Sequence, residues 1–238
     1  MIKIYGIKLR DKIKKEFFDN YIIYVSKEKR ERIRRFRRLD DAVRSLMGDI
    51  IVRIAICQET GLKNEDLIFY KNKYGKPCLK NNCNVQFNIS HSGDWIIAAI
   101  HDLPIGVDIQ KIQPVNMDIA KRFFTLDEYK EIMRKDNEER LSYFYELWVL
   151  KESYIKAVGK GMNIPLNSFC FQIQENKIIF KSKNEVKKHC FKLYNLDKNY
   201  KMAVCAAIND FPDHIEIKDL DRLHEELLLM GRNREGYN

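Results

Sequence analysis

Trp95–Ile100 reads WIIAAI, and Ala203–Ile208, near the other end of the chain, reads AVCAAI. An unbroken apolar run of this length suits a strand buried on both faces, because a strand with one wet face would alternate. The elements ahead of the two runs echo each other. Before WIIAAI, apolar residues at helical spacing (Ile33, Phe36, Leu39, Val43, Leu46, Met47, Ile50, Ile54) stop at Gly61, and Leu67–Tyr70 and Val85–Ile89 read as strands. Before AVCAAI, a helix from about Glu138 stops near Gly159 and Gly161, and Phe169–Ile173 and Ile178–Ile179 read as strands. An α+β fold of two similar halves is therefore expected, joined near His101–Gly106. Residues 1–105 form the first half, 106–212 the second, and 213–238 a helical extension. Leu220, Leu223, Leu227 and Leu228 give that extension an apolar stripe, and Gly231–Asn238 is expected to fray. No Pro-, Gly- or Ser-rich linker separates the halves, which predicts close packing rather than independent motion.

Composition narrows the function classes. Lys and Arg outnumber Asp and Glu by 43 to 34, a formal charge of +9, which predicts an anionic partner: a phosphate-bearing small molecule, nucleic acid or an acidic protein. Lys27–Arg38 (KEKRERIRRFRR) concentrates that charge on a basic, amphipathic helical region. The longest apolar run is too short to span a bilayer, and the early Lys3, Lys8 and Arg10 leave no room for a secretory leader, so a cytoplasmic protein is expected. Six scattered cysteines, without metal or redox spacing, read as buried free thiols.

Chemistry is carried by a few short segments. In GVDIQ, the strand period of two puts Asp108 and Gln110 on one face, where their oxygens can share a metal, although an Asp at a strand end also serves as a turn-former or cap. In LWVLKESYIKAVGKG, Trp148, Glu152 and Lys156 lie four apart and stack on one helix face; read alone, Glu152 and Lys156 make an ordinary ion pair. FNISHSGD reads as a strand ending in Ser90, His91, Ser92 and Gly93, a phosphate cradle or a plain turn. The KYGKP turn offers Gly75 for close backbone approach and Lys76 for charge.

Together these segments resemble the Sfp-type 4'-phosphopantetheinyl transferases. KIYGI, YGKPC, FNISHSG, PIG.DI.K, AKRFF..(D/E)EY, YFY.LW..KES.IK..GKG and YKMAVCAA...FP occur in family order at family spacing. The resemblance implies two halves related by pseudo-twofold symmetry, coenzyme A in the cleft between them, and transfer of its phosphopantetheine arm to a serine of an apo acyl, peptidyl or aryl carrier protein. It implies a Mg²⁺ site at Asp108 and Glu152, with Gln110 where many relatives carry a third acid. It places Lys29, Arg32, Arg44, Ser45 and His91 around the 3'-phosphate, and Gly75, Lys76, Pro77 and Ser90 on the adenine side. Lys151 and Lys156 are expected to share charge neutralisation, and Glu152 to take the serine proton. Phe123, Phe124 and the stretch Lys160–Cys190 are expected at the carrier contact, while Thr125 and Glu128 form a capping box and leave Glu128 a purely helical role as well. A chain holding both halves of the cleft is expected to act as a monomer. The rival readings are a nucleic-acid-binding module built on Lys27–Arg38, which leaves Asp108 and Glu152 unexplained, and a coenzyme A-binding relative without catalysis, for which Gln110 is the hint.

Overall fold

The computed structural model describes residues 1–9, 15–81, 84–175, 177–182 and 188–231. Its first half runs β1 (Lys3–Lys8), α1 (Lys15–Tyr21), α2 (Lys27–Arg34), α3 (Leu39–Thr60), a short hairpin β2 (Phe69–Lys71) and β3 (Pro77–Leu79), and a longer hairpin β4 (Gln86–Ser92) and β5 (Trp95–His101). The second runs β6 (Ile105–Lys111), α4 (Asp118–Phe123), α5 (Leu126–Arg134), α6 (Asn137–Val158), the hairpin β7 (Phe169–Gln174) and β8 (Lys177–Ser182), then β9 (Cys190–Tyr194) and β10 (Tyr200–Ala206). The chain closes with β11 (Glu216–Ile217) and α7 (Leu220–Met230).

The halves share one topology. Leaving aside β11, the sheets are ordered β1-β5-β4 and β6-β10-β9, so in each the first strand pairs with the last, and the last with the one before it. A twenty-two-residue helix precedes each set of hairpins, and both helices end on a left-handed glycine, Gly61 (φ 70°) and Gly159 (φ 73°).

The unbroken apolar runs follow from burial on both faces. Ile96, Ala98 and Ile100 of β5 pack with Leu46, Ile50 and Ile54 of α3. Trp95, Ile97 and Ala99 face the other way, into a shared core with Ile105, Val107 and Ile109 of β6 and Met202, Val204 and Ala206 of β10. On the far side of β10, Ala203 and Cys205 pack under α6 with Leu147, Leu150 and Tyr154. The order of layers is helix, sheet, sheet, helix, and each inner face buries roughly 1.5–3 kcal/mol per large aliphatic side chain. Gly106 is what lets α6 settle on β6: a Cβ there would collide with the backbone of Ser153 and Ala157.

Several expectations are corrected. The helical region from Lys27 to Gly61 is two helices, broken at Arg35–Arg38. Ile33 is buried but Phe36 lies 43% exposed, so the stripe lapses there, and Asp40 and Asp41 start a new helix favourably at the positive end of its dipole. Ser90–Ser92 still belong to β4; the turn comes at Gly93–Asp94, where Gly93 (φ 54°) has no room for a side chain beside Tyr200. The short strand β9 had no separate signal. On α7, Leu223 and Leu227 are buried in the α3 core but Leu228 is 59% exposed, and β11 pairs in parallel with β1, so the tail folds onto the first half. Residues 232–238 of the expected frayed end lie outside the described residues. Cys57 and Cys205 are buried free thiols, Cys78, Cys170 and Cys190 only half-buried, and Cys83 lies outside the described residues. Among the described residues no helix is long and apolar enough to cross a membrane.

Candidate active site

The two sheets meet along a polar seam. Asn88, Ser90 and Ser92 project from β4 at the strand period of two toward β6, and each accepts a hydrogen bond from a backbone N–H of that strand: Val107 N to Asn88 Oδ1 (2.8 Å), Ile109 N to Ser90 Oγ (3.2 Å), Lys111 N to Ser92 Oγ (3.0 Å). The N–H groups that β6 turns toward β4 are thereby satisfied by side chains, without a backbone ladder between the two sheets. FNISHS owes its polar alternation to this seam, which reading one strand at a time had not identified.

Asp108 leaves β6 at the seam, 1% exposed, where an unpaired carboxylate would be costly. Its Oδ1 accepts from Lys156 Nζ (2.6 Å) and Ser90 Oγ (2.8 Å), and its Oδ2 from Gln110 Nε2 (3.1 Å). Lys156 Nζ also donates to Ser90 Oγ (3.0 Å) and the Val107 carbonyl (3.1 Å). Glu152, one turn earlier on α6, accepts no hydrogen bond from the described residues. Burial, and then the Asp108 charge, push its pKa up, with Lys156 opposing. Asp108, Glu152 and the Gln110 amide are the oxygen donors that could hold Mg²⁺ here: two carboxylates that repel each other and an amide, now donating to Asp108, that a half-turn would present oxygen-first. Among the described residues no cluster of three or more His, Cys, Asp and Glu that could hold a metal forms.

A cavity of about 670 Å³ opens beside this cluster, lined by Tyr74–Pro77 of the β2–β3 turn, Asn88, Arg122, Phe123, the Trp148, Glu152 and Lys156 face of α6, and Ile164–Asn167. Pro77 also lines a second cavity of about 430 Å³, which holds Lys29 and Arg32 of α2. Burial lowers the Lys29 pKa, partly offset by Asp49 at 3.3 Å, which Arg53 also engages at 2.6 Å. Arg44, followed on α3 by the half-buried Ser45, donates to the Gly93 carbonyl (3.2 Å) and Asp41 (2.6 Å). His91 keeps a solvent-facing edge; partial burial, then the Arg44 and Lys156 cations, hold its pKa below the ordinary histidine value.

Two predicted groups sit elsewhere. Lys151 points away from Glu152, since adjacent helical residues diverge by about 100°. It is fully buried, donating to the Leu166 and Phe169 carbonyls (both 2.7 Å) and paired with Glu128 (2.9 Å). Burial pushes its pKa down and Glu128 pulls it back up. Glu128 keeps the expected capping box with Thr125 and also accepts from Phe171 N (2.9 Å), so it serves more than its own helix. Phe124 is buried against Phe144, leaving Phe123 alone at the cavity edge.

Residues 12–102 match the model described as 4'-phosphopantetheinyl transferase, N-terminal, and residues 104–205 that of the 4'-phosphopantetheinyl transferase superfamily. A 4'-phosphopantetheinyl transferase of Bacillus subtilis, ffp, is 44% identical over 223 residues, covering 93% of this chain and all of the relative. The chain belongs to the 4'-phosphopantetheinyl transferase superfamily. Sfp of Bacillus subtilis strain 168 is 42% identical over the same shares of both chains, and a human L-aminoadipate-semialdehyde dehydrogenase-phosphopantetheinyl transferase 29% identical over 83% of this chain and 72% of its own. The two family models of this phosphopantetheinyl transferase meet at the turn between β5 and β6, where the topology begins its repeat. A nucleic-acid-binding module finds no support in these matches.

Proposed function

We propose that this protein transfers the phosphopantetheine arm of coenzyme A to a serine of an apo acyl, peptidyl or aryl carrier protein with Mg²⁺ bound, releasing adenosine 3',5'-bisphosphate. The observation that carries this reading is the meeting of Asp108, Glu152, Lys156 and Ser90 at one end of a cleft walled by both halves. The carrier hydroxyl attacks the β-phosphorus of coenzyme A, the bond from that phosphorus to the bridging oxygen breaks, and the nucleotide leaves with that oxygen. Asp108, Glu152 and Gln110 would hold Mg²⁺, which when bound would supply charge neutralisation on the pyrophosphate. Lys156, held by Asp108, Ser90 and the Val107 carbonyl, adds a fixed positive charge. Glu152, a carboxylate that lines the cleft one turn before Lys156, takes the serine proton. The excess of basic residues favours an acidic carrier, and exposed Phe123 offers it an apolar anchor at the cavity mouth. Both walls belong to one chain, which supports a monomer.

The test of substrate recognition uses the 3'-phosphate. Arg44→Ala and His91→Ala are each expected to weaken coenzyme A binding by about 1.5–3 kcal/mol while leaving 3'-dephospho-coenzyme A nearly unaffected, measured by calorimetry. Burial and the Arg44 and Lys156 cations favour neutral His91 in the free protein, and a bound phosphate favours its charged form, so wild-type preference for coenzyme A should grow as pH falls. Equal losses for both ligands would remove these side chains from the phosphate.

A further inference from the structure

The β2–β3 hairpin belongs to the first half of the molecule, yet its turn is fastened to the second. Lys76 Nζ donates to the carbonyls of Lys156 (2.7 Å), Ile105 (3.2 Å) and Ala157 (3.4 Å). An ammonium has three N–H donors, and these acceptors use all of them. Two of the carbonyls lie in the last turn of α6, where helical C=O groups have no partner within the helix and the dipole is negative. The third opens β6. Beside this contact Asn72 Nδ2 donates to the carbonyl of Gly159 (3.0 Å), the left-handed residue ending α6. The other end of the Asn72 amide shapes the turn, accepting from the backbone N–H groups of Tyr74 (2.9 Å) and Lys76 (3.0 Å).

We propose that Lys76 is a positioning residue that, with Asn72, clamps the hairpin wall of the cleft to the C-terminal end of α6 and so holds Lys156 and Glu152 in register with Asp108. Its ammonium is committed to the protein backbone, so it is not a ligand of the nucleotide. The anchored carbonyl of Lys156 belongs to the residue whose side chain engages Asp108 and Ser90, and Glu152 lies one turn before it on the same face. Loosening the clamp frees both at once. The catalytic part of this inference rests on the transferase reading above; the clamp itself does not.

The test compares Lys76→Met, Lys76→Arg and Asn72→Ala with wild type. Amide hydrogen exchange in the free protein addresses the clamp without any substrate. Exchange of the Asn72, Gly75 and Gly159 amides, which close the hairpin turn and the helix end, is expected to quicken by about tenfold in Lys76→Met. With substrates, kcat should fall roughly tenfold to a hundredfold, the scale of a small misplacement, while the ratio of affinities for coenzyme A and its 3'-dephospho form stays at the wild-type value. Lys76→Arg should recover part of the rate, since a guanidinium can still donate to carbonyls. Unchanged exchange in the free protein, unchanged kcat, or an affinity ratio collapsing toward one would each overturn the proposal. If Lys76→Met does not fold, Asn72→Ala decides: faster exchange of the same amides with a smaller loss of kcat supports the clamp, and wild-type values for both overturn it. Should wild type itself transfer nothing, the transferase reading fails while the exchange result still decides the clamp.

Discussion

Glu152→Gln is expected to lower the rate of transfer by about 10²–10⁴-fold, and raising Mg²⁺ to saturation is not expected to restore it. The substitution keeps an oxygen that can coordinate but removes the carboxylate proposed to accept the serine proton. The fold should gain rather than lose. Burial and the neighbouring Asp108 raise the Glu152 pKa, so ionised Glu152 opposes folding at neutral pH, and a neutral amide relieves that cost. A higher melting temperature with a nearly silent enzyme is therefore the expected pair of results. Asp108→Ala should behave differently: it deprives Lys156 and Ser90 of their acceptor and should raise the Mg²⁺ concentration required for half-maximal rate. Gln110→Glu should lower that concentration, because it sets a second carboxylate against Asp108 where the amide now donates at 3.1 Å. Full recovery of Glu152→Gln at high Mg²⁺ would make Glu152 a ligand only, and an unmoved Mg²⁺ dependence in Gln110→Glu would place Gln110 outside the metal site.

Lys151→Met is expected to destabilise the protein by about 3–5 kcal/mol in denaturant unfolding, because it leaves the Glu128 carboxylate buried and uncompensated. The pair joins α5, α6 and the start of β7, and the carbonyls that Lys151 also holds, at Leu166 and Phe169, flank a wall of the cavity. A double change, Lys151→Met with Glu128→Gln, should recover part of the loss, since no isolated charge then remains inside. A single change costing under about 1 kcal/mol would mean that the pair is hydrated and contributes as little as a surface ion pair.

What could be read from the residues, and what could not, divides along local and long-range structure. WIIAAI announced a strand covered on both faces, and the spacing of Trp148, Glu152 and Lys156 placed them on one face of α6, because periodicity is a property of neighbouring residues. The Thr125–Glu128 capping box was equally legible. Its second use was not: Glu128 meets Lys151 only after the chain has turned back, and nothing near either residue names the other. Family resemblance put Lys151 beside Glu152 in role as well as in sequence, whereas the helix sends the two side chains in different directions. The Asn88, Ser90 and Ser92 alternation was visible as a pattern, but its meaning depends on β6, whose N–H groups it satisfies. The KYGKP turn offers Lys76 as a charge, which the resemblance places on the adenine side, and nothing in that turn points to the carbonyls of Ile105, Lys156 and Ala157 to which its ammonium donates.

The central claim is tested most directly by mass spectrometry of carrier proteins. Apo carriers from fatty acid, polyketide and nonribosomal peptide synthesis are incubated with the protein, coenzyme A and Mg²⁺, and each is weighed before and after. At least one carrier is predicted to gain the mass of a single phosphopantetheine on its serine, with adenosine 3',5'-bisphosphate released in equal amount. No gain on any carrier from the three pathways, while the same carriers are loaded by a relative such as Sfp of Bacillus subtilis, would contradict the account.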